Sequence, residues 1–168
     1  MKIQLLKEFA ELLKNRFSNY YSDIKLNESK DEIIIDDNKN YTIITRPHGT
    51  IWIYQIRLKS PWKEKARELE NMYDWKLFKD IIKDLKSKKV KYKICKDDSD
   101  AWCDKQVDLL ELNLTLGSNS RFDDGSPVIV TYLRSEEDRY HFKEVMNYLN
   151  KVHRENLNIG KYKWTECK

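Results

Sequence analysis

The apolar residues of this chain change period along its length, and that change restricts the fold more than any other feature. Leu5, Leu6, Phe9, Leu12, Leu13 and Phe17 recur at steps of three and four, with Lys7, Glu8, Glu11 and Lys14 between them. That spacing predicts a helix with one apolar face. The stretch from Asn19 to Asp31 is polar and reads as a loop. From Ile33 the pattern becomes that of strands: Ile33–Ile35, Tyr41–Thr45 and Ile51–Leu58 are β-branched and aromatic. They are separated by Asp36-Asp37-Asn38-Lys39-Asn40 and Arg46-Pro47-His48-Gly49, both rich in turn formers. In the third run Trp52, Tyr54, Ile56 and Leu58 share one face while Ile51 and Ile53 begin the other, which predicts a central strand covered on both sides.

The helical period returns after Ser60-Pro61, where Ser60 can cap and Pro61 suits the first helical position. Ala66, Leu69, Tyr73, Leu77, Ile81, Ile82 and Leu85 carry it to Lys86, with a candidate break near Asn71. Val90–Ile94 alternates as a strand, and an acidic loop spans residues 96–106. Leu110, Leu112, Leu114 and Leu116 then alternate with Glu111, Asn113 and Thr115, predicting one strand. After a loop from Gly117 to Pro127, Val128–Leu133 is the last strand. A helix opens at Ser135, with Glu136, Glu137 and Asp138 favourable in its first turn, and should bury Phe142, Val145, Met146, Leu149 and Val152. The expected fold is α+β, an antiparallel-rich mixed sheet of order α-βββ-α-β-ββ-α with helices packed on it.

A length of 168 residues fits one domain, residues 1–155, followed by a polar, basic tail, residues 156–168. Five Trp, ten Tyr and five Phe supply a core and argue against a wholly disordered chain. No apolar run approaches the ~20 residues of a membrane span. Lys7, Glu8 and Glu11 interrupt the start of the chain before any signal-peptide core, so the expected setting is cytoplasmic, away from membranes. Cys95, Cys103 and Cys167 are an odd set with no close pair, which reads as reduced thiols.

The net charge of +4 is too small to identify a partner, but its distribution is uneven. Residues 76–96 carry nine lysines against Asp80 and Asp84, a local charge of +7. Residues 97–111 reverse the sign, with Asp97, Asp98, Asp100, Asp104, Asp108 and Glu111 against Lys105. On a helix, Lys76, Lys79, Lys83 and Lys86 fall within about 80° of one another and roughly opposite Phe78, Ile81, Ile82 and Leu85. Lys88, Lys89, Lys91 and Lys93 extend the basic run into the next strand. Such a row can neutralise successive phosphates without reading sequence, although an ordinary solvated helix face looks the same. Tyr92, Tyr162 and Trp164, near basic residues, are candidates for base stacking.

Asp98, Asp100 and Asp104 could offer oxygen ligands to a divalent cation, but Trp102 occupies a ligand position of the EF-hand pattern and no glycine makes its turn. The loop reads instead as an offset to the neighbouring lysines. His48 has no nucleophile or second carboxylate implied beside it. No phosphate-cradling glycine loop, serine-hydrolase elbow or zinc-protease motif is present. No catalytic residue, metal site or cofactor is therefore expected.

Residues 1–95, in their order α-βββ-α-β, are similar to the core of PD-(D/E)xK nucleases. That resemblance implies an Asp opening one strand and an acid-x-Lys on the next, holding Mg²⁺ for hydrolysis. Here Asn40-Tyr41-Thr42-Ile43-Ile44 and Gln55-Ile56-Arg57 stand in those stretches, so the acids and the lysine are replaced. Asp36 and Asp37 fall in a predicted turn outside the motif. Residues 1–86 also resemble a double-stranded RNA-binding domain, with Lys63-Glu64-Lys65-Ala66-Arg67 opening the second helix. In that family, however, the Gly-Pro-x-His loop lies one hairpin before the position of Arg46-Pro47-His48-Gly49.

The expected function is non-catalytic binding of nucleic acid or a nucleoprotein complex through Lys76, Lys79, Lys83, Lys86, Lys88, Lys89, Lys91 and Lys93. The alternatives are a divergent metal-dependent nuclease and a protein-binding or inhibitor module, such as a viral accessory protein. Adjacent patches of opposite sign would also suit a protein partner or a homodimer.

Overall fold

The computed structural model describes residues 2–95, 105–119 and 124–161. The elements are α1 (Lys2–Phe17), β1 (Lys25–Asn27), a 3-10 turn (Glu28–Lys30), β2 (Glu32–Asp37), β3 (Tyr41–His48), β4 (Ile51–Leu58), α2 (Trp62–Tyr73), α3 (Phe78–Ser87), β5 (Tyr92–Cys95), β6 (Lys105–Leu109), β7 (Leu114–Ser118), β8 (Val128–Tyr132) and α4 (Glu136–Asn158). The fold is α+β, and its strands form two antiparallel four-stranded sheets, β1-β2-β3-β4 and β5-β6-β7-β8. The chain divides into two compact units, residues 1–57 with 136–168, and residues 58–135. Among the described residues no helix is long and apolar enough to cross a membrane.

In the first unit, α1 packs on β1, β2 and α4. It buries Leu5, Leu6, Phe9, Ala10, Leu13 and Phe17, close to the predicted stripe. A bulge at Ile35 shifts the β2–β3 register, so that Ile34 faces Ile44 and Asp36 faces Ile43. Asp36 and Asp37 therefore end a strand, not a turn. Strand β3 continues through Arg46, Pro47 and His48, and the hairpin to β4 is closed by Gly49 and Thr50 alone, with Gly49 at φ 64.

Strand β4 spans the predicted residues but is an edge strand, not a central one. The aromatic face that suggested double coverage is met by helices: Trp52 lies 4.8 Å from Phe9, and Tyr54 lies edge-on to Phe142 at 4.9 Å. The backbone N–H of Trp52 donates to Asn150 Oδ1 at 2.7 Å. Arg57 makes a bidentate pair with Glu32, at 2.7 and 2.8 Å, and Glu32 is only 1% exposed. On α4 the buried residues are Phe142, Val145, Leu149 and His153, while Met146 and Val152 are half-buried. His153 is fully buried, its Nε2 is 3.1 Å from the Gly49 carbonyl, and Phe9 and Trp52 meet its ring edge-on. Burial pushes this imidazole below its ordinary value of 6.5, against the raising effect of the Gly49 hydrogen bond.

In the second unit, α2 and α3 cover one face of β5–β8. The core joins Ala66, Tyr73, Phe78, Ile81 and Leu85 to Val107, Leu109, Leu114, Leu116, Val128 and Val130. The leucine alternation from Leu110 to Leu116 is not one strand. Leu109 pairs directly with Leu114, and residues 110–113 are the connecting turn, with Asn113 at φ 55 and the Leu112 N–H on the Leu109 carbonyl. Leu110 is left 45% exposed. Strand β6 is supplied by residues that include part of the predicted acidic loop.

Helix α2 runs antiparallel along β8. Trp62 meets Tyr132 at 5.4 Å, Glu70 Oε1 accepts from Val130 N–H at 3.3 Å, and Asp74 Oδ1 accepts from Val128 N–H at 2.7 Å. Ser60 does not cap this helix; its hydroxyl bonds the Glu64 carboxylate, and Pro61 takes the cap position. The predicted break near Asn71 falls later, at residues 74–77. There the Trp75 N–H turns to the Ser126 carbonyl at 2.9 Å and the backbone enters the left-handed region at φ 65.

Gly125 sits so close to this break that an added Cβ would stand 1.8 Å from the Trp75 carbonyl oxygen. Gly125→Ala should therefore lower stability by about 2 kcal/mol or more, read as a reduced urea midpoint. For His153, the folded value lies below the unfolded one. Its contribution is intact above about pH 6.5 and is lost as pH falls through the folded value. The wild type should lose stability as pH falls below about 6.5, and His153→Gln should flatten that loss in paired urea titrations.

Candidate nucleic-acid interface

The described structure places all eight predicted lysines in the second unit, and all are exposed. Lys79, Lys83 and Lys86 lie on α3 within about 60° of one another. The opposite side of that helix carries Phe78, Ile81 and Leu85, which are buried. Lys76 is not on the helix; it stands in the α2–α3 connection, because Asp74 and Trp75 have ended α2.

Helix α3 stops in a Schellman arrangement. Lys89 N–H bonds the Lys86 carbonyl at 3.1 Å, Val90 N–H bonds the Leu85 carbonyl at 3.0 Å, and Lys89 has φ 57. Val90 then packs on the core beside Leu85. Lys88 and Lys89 are thus held at the helix terminus, where cations complement the carbonyl ends. Lys91 precedes β5 and Lys93 lies on it. Lys93 is paired in register with Asp108, whereas Ile94 is paired with Val107. Lys93 therefore projects from the sheet face opposite to the one α3 covers. The structure groups Lys79, Lys83 and Lys86, sets Lys76 and Lys88 together, and separates Lys93 from them.

The grouping of Lys76 and Lys88 is centred on Tyr73 and Asp84. Tyr73 is 1% exposed and its hydroxyl donates to Asp84 Oδ2 at 2.6 Å. Lys88 Nζ lies 2.9 Å from the same oxygen, and the Nζ atoms of Lys76 and Lys88 lie 5.8 and 5.9 Å from the Tyr73 ring centre. The Tyr73 hydrogen bond, then Lys88, holds the Asp84 carboxyl below its usual range; burial, then Asp84, pushes the Tyr73 phenol well above its own. Lys91 lies 3.6 Å from Glu111, with both side chains exposed. Among the described residues Lys79, Lys83, Lys86, Lys89 and Lys93 make no ion pair.

Two features escaped sequence reasoning. Lys105 Nζ lies 5.6 Å from the Phe78 ring, bringing a further cation to the start of α3; the strand pairing that places it has no local signal. Trp75 is 69% exposed, and its signal was present, since it is the large apolar residue that falls off the buried stripe of Tyr73, Phe78 and Ile81. Asp98, Asp100 and Asp104, with Tyr162 and Trp164, lie outside the described residues.

The stretches resembling a nuclease core are occupied otherwise. The Arg57 guanidinium is engaged by Glu32, Asn38 organises the turn through the N–H groups of Asn40 and Tyr41, and Asp37 accepts from the Thr42 hydroxyl. Burial, then the charge of Asp138, raises the Asp36 carboxyl above its ordinary value. Among the described residues no group of three or more His, Cys, Asp or Glu side chains could hold a metal ion. His48 is exposed at the end of β3.

Because Lys89 bears a side chain in a left-handed conformation, Lys89→Gly should raise stability by about 0.5 to 1 kcal/mol, read as an increased urea midpoint. Compared with family models, with curated proteins and with solved structures, the chain matches none.

Proposed function

We propose that the protein binds nucleic acid, free or within a nucleoprotein complex, without catalysis. The observation that carries this reading is the row of Lys79, Lys83 and Lys86 on the outward face of α3, exposed and without carboxylate partners among the described residues. Lys76, Lys88 and Lys89 flank the row, Asp84 balancing part of their charge. Amines in this arrangement suit phosphate oxygens as point charges and carry no fork geometry for reading bases, so binding is expected to be indifferent to sequence.

Three duplex phosphates neutralised by this row correspond to a salt slope of about −2.7 on logarithmic axes, or about a fortyfold loss of affinity between 50 and 200 mM salt. Fluorescence anisotropy with labelled single-stranded DNA, duplex DNA and duplex RNA measures this directly. Wild type should bind at low salt with that dependence, and Lys79→Glu with Lys83→Glu should abolish binding while leaving the urea midpoint nearly unchanged. Absence of binding to all three at about 50 mM salt would sink the proposal and turn the search to a protein partner. Mg²⁺-dependent cleavage of a probe, lost on chelation, would replace it with the nuclease alternative.

A further inference from the structure

Trp75 combines two unfavourable features. Its indole is 69% exposed, so burial returns little, and its backbone is at φ 65, where a bulky residue is rarely found. Glycine or asparagine would serve this backbone better. The conformation is nevertheless over-determined: Asp74 N–H bonds the Glu70 carbonyl at 2.8 Å, the Asp74 carboxylate holds Val128 N–H, Trp75 N–H holds the Ser126 carbonyl, and Gly125 closes against the Trp75 backbone. The side chain is thus presented on a fixed support. An exposed indole kept on a backbone that glycine or asparagine would suit better points to use of the side chain.

The surroundings indicate what that use is. Lys76 follows Trp75 directly, and Lys79 stands in the first turn of α3 with Lys83 and Lys86 beyond it. An exposed aromatic that immediately precedes Lys76 in the chain and leads into the lysine-bearing helix is suited to an unpaired base followed by its phosphates, since every base has a π-face and stacking is tolerant of sequence. A duplex offers its phosphates to the lysines but no free base face to the indole. We infer that Trp75 is a stacking platform and that the lysine interface therefore prefers single-stranded nucleic acid, an inference that rests on the phosphate-binding reading above.

The test compares a labelled oligothymidine with a duplex of equal length, by anisotropy at fixed salt, for wild type, Trp75→Gly, Trp75→Phe and the Lys79→Glu, Lys83→Glu double variant. Wild type should favour the oligothymidine. Trp75→Gly should weaken oligothymidine binding between about fivefold and a hundredfold and leave duplex binding unchanged. Trp75→Phe should retain most of the single-strand affinity. The urea midpoint of Trp75→Gly should be no lower than that of wild type, because glycine adopts this φ without strain. Unchanged oligothymidine binding in Trp75→Gly, with binding lost in the lysine double variant, would overturn the platform and leave the phosphate reading standing. Loss of neither in the lysine variant would overturn the phosphate reading itself. If Trp75→Gly is destabilised, Trp75→Asn, also tolerated at left-handed φ, is measured in its place; loss of stability in both would make the indole a packing group and overturn the inference.

Discussion

Strand β8 is an edge strand, and an edge strand's outward N–H groups must find acceptors or meet water. Here two carboxylates at the end of α2 provide them: Glu70, in the last turn, takes the N–H of Val130, and Asp74, the residue that caps the helix, takes that of Val128. Much of the second unit follows from this arrangement. It lays α2 antiparallel to β8, and it diverts Asp74 and Trp75 from helical geometry so that α2 ends. It also lets the chain restart as α3 with its apolar side on the sheet and its lysines outward. Glu70 is held partly desolvated in this role, and its carboxyl is raised by burial first, with the Val130 hydrogen bond opposing the shift.

The lysines at the ends of α3 and those along it differ in electrostatic situation. Lys88 is balanced by Asp84, which Tyr73 orients from the core, so this cation is tied to the fold as much as to the surface. Among the described residues Lys79, Lys83 and Lys86 face no such carboxylate, and all three are exposed. In the first unit the bidentate pair between Arg57 and Glu32 joins β4 to β2 across β3. A pair of this kind is weak evidence for added stability, but removing the half-buried Arg57 would leave the buried Glu32 charge stranded.

Where one residue type recurred at one period, the sequence was legible. The stripe of α1, the extent of β4 and the basic side of α3 follow from local spacing, whereas most of the turn-forming run 46–49 and the start of 36–40 lie in strands. Errors arose where partners distant in sequence decide the outcome. Leu110 to Leu116 alternates without interruption, yet the pairing of Leu109 with Leu114 turns half of that run into a loop. The two-sided apolar pattern of β4 reads as a central strand because helices, not strands, cover its aromatics. His153 stands four residues after Leu149, in phase with the buried face of α4, but a titratable residue type disguised it. The basic run looked continuous because sequence order hides the fact that Lys93 and the α3 lysines belong to opposite sides of a sheet.

The first unit is discontinuous in the chain: residues 1–57 supply its sheet and first helix, and α4, the helix that seats Phe142 and His153 there, comes only after the whole of residues 58–135. During synthesis the second unit is therefore complete and free to fold while the aromatic side of β4, with Trp52 and Tyr54, still waits for its helix. Domains generally fold as units in the order they emerge, and here the unit that starts first is the one that finishes last. That interval exposes β4 as an edge strand with apolar side chains, and it makes the first unit, not the lysine-bearing one, the part of the molecule most open to mispairing with another nascent chain.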